Sequence, residues 1–188
     1  MKKERVLLGM SGGTDSSMAA CLLQQQGYEV VGITFRFFEK DGDTAYLEEA
    51  AGLCARLGVG HLVYDAREEF RQKIIRYFIS EYMNGRTPVP CMVCNNLLKW
   101  PLMGKIADEK GIFFIASGHY ARRVTVDGRP YVRSGADADK DQSFFLWGIP
   151  PRLLPRILFP LGNYTKTAIR QMARDRGLDR IAQKKESM

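Results

Sequence analysis

The stretch GMSGGTDS, at Gly9 to Ser16, decides how this chain folds. It continues a short apolar run that starts at Arg5 and has the composition of a buried strand. After it, apolar residues recur at helical spacing from Asp15 to Gln26, and Gly27 supplies a helix stop signal. The sequence therefore predicts a strand, a glycine turn and a helix in direct succession.

The turn between this strand and helix is suited to binding an anion. Gly12 and Gly13 allow the backbone to approach a ligand closely, and the helix start presents unpaired N–H groups and the positive end of the helix dipole. Neighbouring hydroxyls add donors, and Asp15 is a candidate ligand for a magnesium ion that neutralises phosphates. The stretch is neither a Walker A loop nor a dinucleotide fingerprint. A plain glycine turn is the alternative interpretation.

Strand and helix patterns continue to alternate along the chain. Further strands are predicted at 28–35, 61–64 and 112–116, and helices at 44–57, 67–82 and 165–176. Thr44 and Thr165 are the expected caps of two of these helices. Repeated strand–helix units predict a parallel sheet covered on both faces. An Asp-Gly turn within 120–133 predicts a β-hairpin, and 141–147 a short helix.

Composition and charge limit the cellular location and the binding partners that the sequence predicts. The chain of 188 residues is 45% hydrophobic, enough to bury one substantial core. No stretch has the ~20 apolar residues of a membrane helix, and four cysteines fit reduced thiols, so we predict a cytoplasmic protein without a membrane partner. Residues 151–188 hold nine Lys and Arg against three Asp and Glu, which is +6 of the net +7. This basic segment fits either a polyanion partner or a solvated helical face.

A cysteine pair lies in a segment predicted to be a loop between Met83 and Asn95. Its two prolines disfavour regular structure and hold the chain extended around Cys91 and Cys94. The following run to Lys110 reads as a helix that starts or kinks near Pro101.

The cysteine pair fits a metal half-site, a redox pair or a nucleophile, and a nucleophile fits best. Cys94 directly precedes the predicted helix N-terminus, a position that lowers a thiol pKa. Two merely packed thiols are the alternative interpretation, and Cys21 and Cys54 are assigned to the core.

Six separated blocks carry a resemblance to a known family. They are GMSGGTDS at 9–16, TPVPCMVCN at 87–95 followed by Lys99, SGHYAR at 117–122, KDQSFFLW at 140–147, LFPLGNYTK at 158–166 and KKES at 184–187. With these blocks the chain resembles the tRNA-specific 2-thiouridylase family of PP-loop ATP pyrophosphatases, over Val6 to Ser187. The resemblance implies a parallel doubly wound α/β sheet of the Rossmann-like, adenine nucleotide alpha hydrolase (PP-loop) type, with a β-hairpin insertion and a small helical C-terminal region.

The resemblance also implies a reaction, with ATP and Mg²⁺ as cofactors. The C2 oxygen of the wobble uridine of tRNA attacks the α-phosphate of ATP, and sulfur from a cysteine persulfide then displaces AMP. The implied partners are tRNA and a cysteine desulfurase or sulfur-relay protein as sulfur donor.

Site residues follow from the resemblance by position. ATP would be bound by Gly9, Met10, Ser11, Gly12, Gly13, Thr14, Asp15 and Ser16, with Phe35 at the adenine and Gly118 lining the pocket. The tRNA would be contacted by Val89, Pro90 and Cys91 at the target base and by Lys140, Asp141 and Gln142. Cys94 would be the nucleophile and Cys91 a helper. For Phe35, a strand-end core aromatic is the alternative interpretation.

The chain departs from the family pattern in two places. Relatives often carry Asn-Pro-Asp where this chain has Val89-Pro90-Cys91, so a carboxylate suited to proton transfer is replaced by a thiol. The resemblance also places a second, persulfide-bearing cysteine beyond Ser187. We therefore expect a catalytic ATP-binding domain over residues 1–150 and a basic helical extension over 151–188, the start of a linker to downstream tRNA-binding domains, and expect this piece alone to be inactive in thiolation.

Three other interpretations stay open from the sequence. The chain fits another PP-loop adenylating ligase or amidase, although the cysteine segment argues against this. It also fits a nucleotide- and RNA-binding sulfur-relay module without turnover. An iron–sulfur cluster held by Cys91, Cys94 and a further cysteine ranks below persulfide transfer, because thiolates suit both chemistries.

Overall fold

The computed structural model describes residues 3–182, so the KKES block lies outside the described residues. The strands are β1 (Arg5–Gly9), β2 (Glu29–Arg36), β3 (Gly60–Asp65), β4 (Phe114–Ala116), β5 (Ala121–Val126), β6 (Arg129–Ser134) and β7 (Ile157–Leu158). The helices are α1 (Thr14–Gln25), α2 (Ala45–Arg56), α3 (Arg67–Phe70), α4 (Arg76–Met83), α5 (Pro90–Cys94), α6 (Trp100–Glu109), α7 (Lys166–Arg174) and α8 (Asp179–Ala182). Short 3₁₀ helices occupy Lys40–Gly42, Ala138–Lys140, Ser143–Leu146 and Pro151–Arg156.

Five strands form one parallel sheet in the order β3-β2-β1-β4-β7. The chain first moves outward from β1 to β3 and then returns to the other side of β1. The strand order therefore reverses between β1 and β4, and in such sheets ligands bind outside the carboxyl ends of the strands at this point. The predicted doubly wound α/β fold is confirmed.

Apolar residues pack on both faces of this sheet. Successive residues of β1 point to opposite faces, so Leu8 joins a core with α1 and α7, while Leu7 joins a core with α6. The α7 side of the core includes Ile169 and Ala173. Strand β7 pairs with β4 in the same sheet. The boundary predicted between residues 150 and 151 therefore does not separate two cores in the described part of the chain.

Turns and caps follow the local sequence closely. The hairpin β5–β6 turns at Asp127 and Gly128, which have φ of 48° and 76°, as a two-residue hairpin turn requires. Thr165 caps α7, because its hydroxyl accepts the N–H of Ala168 at 3.2 Å. Thr44 precedes α2 but its side chain makes no cap bond, so the predicted capping role is wrong.

The predicted extended loop around the cysteines is wrong. Pro90 begins α5, where a missing N–H costs no hydrogen bond, and the helical path continues to Glu109. A π-helical turn, Asn95–Lys99, joins α5 to α6, and the Trp100 N–H donates to the carbonyl of Asn95. A second π-turn, Arg71–Ile75, joins α3 to α4. The first of these π-turns, Asn95–Lys99, lies just before Pro101, close to the predicted kink.

Across residues 3–182, the structure contains no helix that combines the length and the apolar character needed to cross a membrane.

Candidate active site

A cavity of about 420 Å³ opens at the carboxyl ends of β1, β2 and β4. This is the edge of the sheet where the strand order reverses, and the volume is within the range of pockets for small molecules. Its walls come from separate parts of the chain: Gly9, Met10, Ser11, Asp15, Ser16, Ile33, Thr34, Phe35, Phe37, Tyr46, Lys99, Met103, Ser117, Gly118, His119 and Gln142. The structure thus brings most of the predicted ATP residues to one site.

The glycine turn is ordered by its own hydroxyls and opens the helix start to the cavity. Gly12 has a φ of +73°, which side-chain-bearing residues rarely adopt. Gly13 is the N-cap of α1 and offers no side-chain cap, while the hydroxyls of Ser16 and Ser17 donate to its carbonyl at 3.2 and 2.6 Å. The Ser11 N–H donates to Ser16 Oγ at 3.3 Å. This geometry suits an anion, and ATP binding at the turn stays a prediction.

Gly118 lies against the start of α1. A Cβ added there would lie 3.0 Å from the carbonyl carbon of Asp15 and from the nitrogen of Ser16. Glycine is therefore needed because the segment after β4 packs directly on the backbone of the turn. Gly118 lines the cavity, and its contact with a nucleotide stays a prediction.

Asp15 is held by two distant residues. Lys166 Nζ lies 2.8 and 2.7 Å from its two carboxylate oxygens, and the Tyr120 hydroxyl donates to Oδ1 at 2.9 Å. The Lys166 side chain is only 9% exposed. This ion pair ties the start of α7 to the glycine turn, so the segment predicted as an extension supports the site directly.

The same contacts bear on the predicted magnesium ligand. A metal ion at Asp15 would have to displace the ammonium of Lys166. Within residues 3–182 no group of three or more His, Cys, Asp and Glu side chains is placed to hold a metal. The residues present therefore do not fit a magnesium site held by the protein.

Phe35 is both a packed strand-end aromatic and part of the cavity wall. Its ring lines the cavity and is half-buried. It also stacks on Phe37, with ring centroids 5.3 Å apart, and meets the edge of Tyr64 at 6.0 Å. The residue is thus a packed aromatic that presents part of its surface to the cavity, and adenine contact by Phe35 stays a prediction.

Cys94 does not precede a helix N-terminus. It is the last residue of α5 and the chain continues helically through the π-turn, so the backbone N–H groups after it are not free to stabilise a thiolate. Burial is the main cause that raises the pKa of the Cys94 thiol, while the charge of Lys99 lowers that pKa. Cys91, one helical turn earlier, is exposed.

The other two cysteines belong to the core, as predicted. Cys21 and Cys54 are buried, and burial raises the pKa of Cys54 to about 11. Neither thiol is suited to nucleophilic chemistry at neutral pH.

The segments predicted to contact tRNA lie on neighbouring elements. Val89, Pro90 and Cys91 open α5, which packs against the 3₁₀ helix after Gln142. Asp141 accepts hydrogen bonds from Gly135 N–H at 2.9 Å and from Ser143, and Gln142 Oε1 accepts the Tyr120 N–H at 3.0 Å. These two side chains brace the loop and the hairpin. Their contact with tRNA, like that of Lys140, stays a prediction.

Sequence reasoning assigned no role to several residues of the site. His119 Nδ1 lies 2.7 Å from Ser117 Oγ, and burial, with help from the charge of Lys99, lowers the pKa of His119 well below its usual range. Its ring is therefore neutral at pH 7. His119 and Lys166 lie inside the sequence blocks quoted above and Lys99 directly follows one, which is the signal that the sequence offers. The partner of Lys166, Asp15, is 151 positions away in sequence.

The strand order and the helices define a doubly wound α/β fold of the PP-loop type, with a cavity at the carboxyl edge of its sheet. Residues 4–188 match the family model described as the tRNA methyl transferase HUP domain, and the chain belongs to that family. It is 59% identical over 187 residues to the tRNA-specific 2-thiouridylase MnmA 1 of Bacteroides fragilis strain YCH46, covering 100% of this chain and 51% of the relative. It is also 59% identical over 184 residues to MnmA 2 of Phocaeicola vulgatus, covering 98% and 52%. The resemblance predicted from the sequence is confirmed, and the chain spans about half the length of these curated relatives.

Solved structures share the fold. A 4-thiouridine synthetase in complex with RNA and bound ATP superposes with a TM-score of 0.65 at 19% identity, covering 97% of this chain and 43% of that one. An NMN synthetase from Francisella tularensis superposes with a TM-score of 0.60 at 14% identity, covering 99% and 67%. At these identities the likeness shows the fold alone.

Proposed function

We propose that this chain is the ATP-binding catalytic part of an enzyme that 2-thiolates the wobble uridine of tRNA. The cavity is the observation that carries the proposal, because its wall joins the glycine turn before α1 to Lys99 on the helical segment that bears Cys94. The relatives named as tRNA-specific 2-thiouridylases support the substrate and the reaction.

The lining of the cavity suggests an orientation for ATP. The triphosphate would lie at the start of α1, where Gly13 leaves the helix without a side-chain cap and Ser11 and Ser16 supply hydroxyls. The adenine would lie toward Phe35, the aromatic ring at the end of β2. The α-phosphate would then face the Lys99 side of the cavity, between the turn and α5.

The reaction proceeds by successive displacements. The C2 oxygen of the uridine bonds to the α-phosphorus of ATP, and the bond to pyrophosphate breaks. The outer sulfur of a persulfide borne by a further cysteine then bonds to C2, and the C2–O bond breaks so that AMP leaves with the former uracil oxygen. The Cys94 thiolate attacks the inner persulfide sulfur, the S–S bond to the transferred sulfur breaks to release 2-thiouridine, and the disulfide formed between the two cysteines is reduced by an external thiol. Adenylation is needed because the uracil oxygen is a poor leaving group by itself. Cys94 is the proposed nucleophile of sulfur transfer, and a cysteine desulfurase or relay protein is the proposed sulfur donor.

Sulfur transfer accounts for the site better than the methyl transfer named in the family description. Methyl transfer would use neither the uncapped anion site at α1 nor a half-buried thiol on the helical segment that carries Lys99. Both features have a use when ATP is cleaved between its α- and β-phosphates and a cysteine delivers sulfur.

Two exposed aromatic residues mark a surface for unpaired RNA bases beside the site. The side chains of Phe144 and Trp147 are 63% and 71% exposed. They are three residues apart along the 3₁₀ helix Ser143–Leu146 and its C-cap, so they lie on one face. This helix packs against α5 and the π-turn after it. Exposed rings on a helix that also packs against β6 of the hairpin suit stacking with splayed-out bases.

Trp147 fluorescence is expected to be quenched when an anticodon stem-loop RNA binds. Trp100 is completely buried, so the exposed Trp147 supplies the responsive signal. Trp147→Ala is expected to weaken binding by about 1–3 kcal/mol, as loss of one base stack does. The affinity should also fall with salt, by roughly 0.7 to 0.9 log units per phosphate contact for each decade of salt.

The matched control is Phe113→Ala, which removes another exposed ring next to the amino end of β4, away from the cavity. Its RNA affinity should equal that of the unchanged chain. An affinity that resists both salt and loss of Trp147 would contradict the RNA surface.

A further inference from the structure

The π-turn Asn95–Lys99 changes which side chains share one side of the helix. In a regular α-helix, residues five positions apart, such as Cys94 and Lys99, point about 140° away from each other. In a π-turn the hydrogen bond joins residues five apart, here the Trp100 N–H and the Asn95 carbonyl. Residues five apart therefore lie nearly above one another, and Lys99 is rotated toward the side of Cys94.

The electrostatics agree with this placement. The charge of Lys99 lowers the pKa of Cys94 on its own helix and that of His119 beyond β4. Lys99 also lines the cavity. Its charge therefore favours the thiolate form of Cys94, the neutral imidazole of His119 and any anion bound in the cavity.

Lys99 is available for such an anion. It is half-buried, and no ion pair or hydrogen bond joins its side chain to another group in the part of the chain that the structure describes. It is the single Lys or Arg in the cavity wall formed by the described residues, where the one carboxylate, Asp15, is already bound to Lys166. A partly buried ammonium without a partner has lost some of its hydration, so binding an anion lowers its free energy more than it would for a fully hydrated ammonium.

We propose that Lys99 is the cation that activates Cys94. The S–H bond of Cys94 breaks, its proton passes to solvent, and the resulting thiolate is stabilised by the Lys99 ammonium. The use of that thiolate in sulfur transfer rests on the proposed function, whereas its formation is a property of this chain. Lys99 thus fills the role that the sequence had assigned to a helix N-terminus.

The burial and the charges around Cys94 determine in which direction its pKa should change when Lys99 is replaced. Burial and Cys91 raise the pKa of its thiol, and Lys99 lowers it. On the neighbouring π-turn, Lys73 has its ammonium 3.5 Å from the carbonyl of Leu97. Since Lys99 is the cation that acts on the thiol, its loss should move the titration upward, by about one pH unit.

The test measures the rate of iodoacetamide alkylation at Cys94 against pH, in a Cys91→Ser background that removes the exposed thiol. Lys99→Met and Lys99→Gln are expected to raise the midpoint by about one pH unit, which slows alkylation about tenfold below the midpoint. Lys99→Arg should keep it near its original value. Lys105→Met is the control, because Lys105 is exposed on α6 and pairs with Glu109.

An unchanged midpoint in both neutral variants would overturn the proposal, and so would an equal shift in Lys99→Arg, which would indicate a packing effect. Thermal unfolding of each variant identifies those that fold, and two neutral substitutions guard against misfolding of one. Alkylation requires no turnover, so it tests the role of Lys99 independently of the proposed function. If the alkylation midpoint shifts in the Lys99 variants but the enzyme forms no 2-thiouridine, the role of Lys99 is supported and the proposed function is refuted.

Discussion

Replacing Cys94 with serine is expected to lower 2-thiouridine formation by about 10³-fold or more, which is typical of losing a nucleophile. Serine keeps the size of the side chain and removes the thiolate. The assay would use a chimera that continues this chain with the C-terminal half of the Bacteroides fragilis relative, and would measure 2-thiouridine in tRNA by mass spectrometry.

Cys91→Ser is the matched variant one helical turn away. Its thiol is exposed, and the reaction requires a single nucleophile from this pair, so activity should fall by no more than about tenfold. Full activity of Cys94→Ser would show that another group attacks. Loss of activity and of bound iron in both variants would favour a shared cluster instead.

Gly13→Val is expected to weaken ATP binding about 100-fold without unfolding the chain. Gly13 has extended backbone angles that any residue adopts, and an added Cβ would meet only Ser11 Oγ at 3.5 Å. Its branched side chain would instead occupy the space that the phosphates need. Losing two phosphate hydrogen bonds at about 1.5 kcal/mol each gives that factor, which titration calorimetry measures directly.

Gly52→Ala is the control for this experiment, because its added Cβ meets nothing within 4 Å on helix α2. It should bind ATP like the unchanged chain. Equal ATP affinities of Gly13→Val and Gly52→Ala would remove the glycine turn from the nucleotide site.

The parts of the fold with a local signal were predictable from the sequence. The first strand, turn and helix, the hairpin with Asp127-Gly128 and the cap at Thr165 all depend on residues close together in the chain. Strand β7 was missed because two residues, Ile157 and Leu158, are too few to show a period. Helix α5 departs from the prediction because proline disfavours a helix interior, whereas Pro90 occupies the first helical position, where proline is favoured.

The site was predictable only where it follows a continuous block of sequence. The glycine turn met that condition. The Asp15–Lys166 ion pair did not, because it joins residues 151 positions apart. The position of Lys99 on the side of Cys94 depends on a π-turn, and nothing in the local residue pattern predicts the change from i→i+4 to i→i+5 hydrogen bonding.

The adenylation step can be followed by the fate of one oxygen atom. A tRNA carrying ¹⁸O at C2 of the wobble uridine would be thiolated by the chimera with unlabelled ATP. The ¹⁸O content of the released AMP and pyrophosphate would then be measured by mass spectrometry. The account predicts one ¹⁸O in each AMP formed and none in pyrophosphate, because the uracil oxygen bonds to the α-phosphorus and leaves with it. Unlabelled AMP, or ¹⁸O in inorganic phosphate released alongside ADP, would contradict adenylation of the uridine.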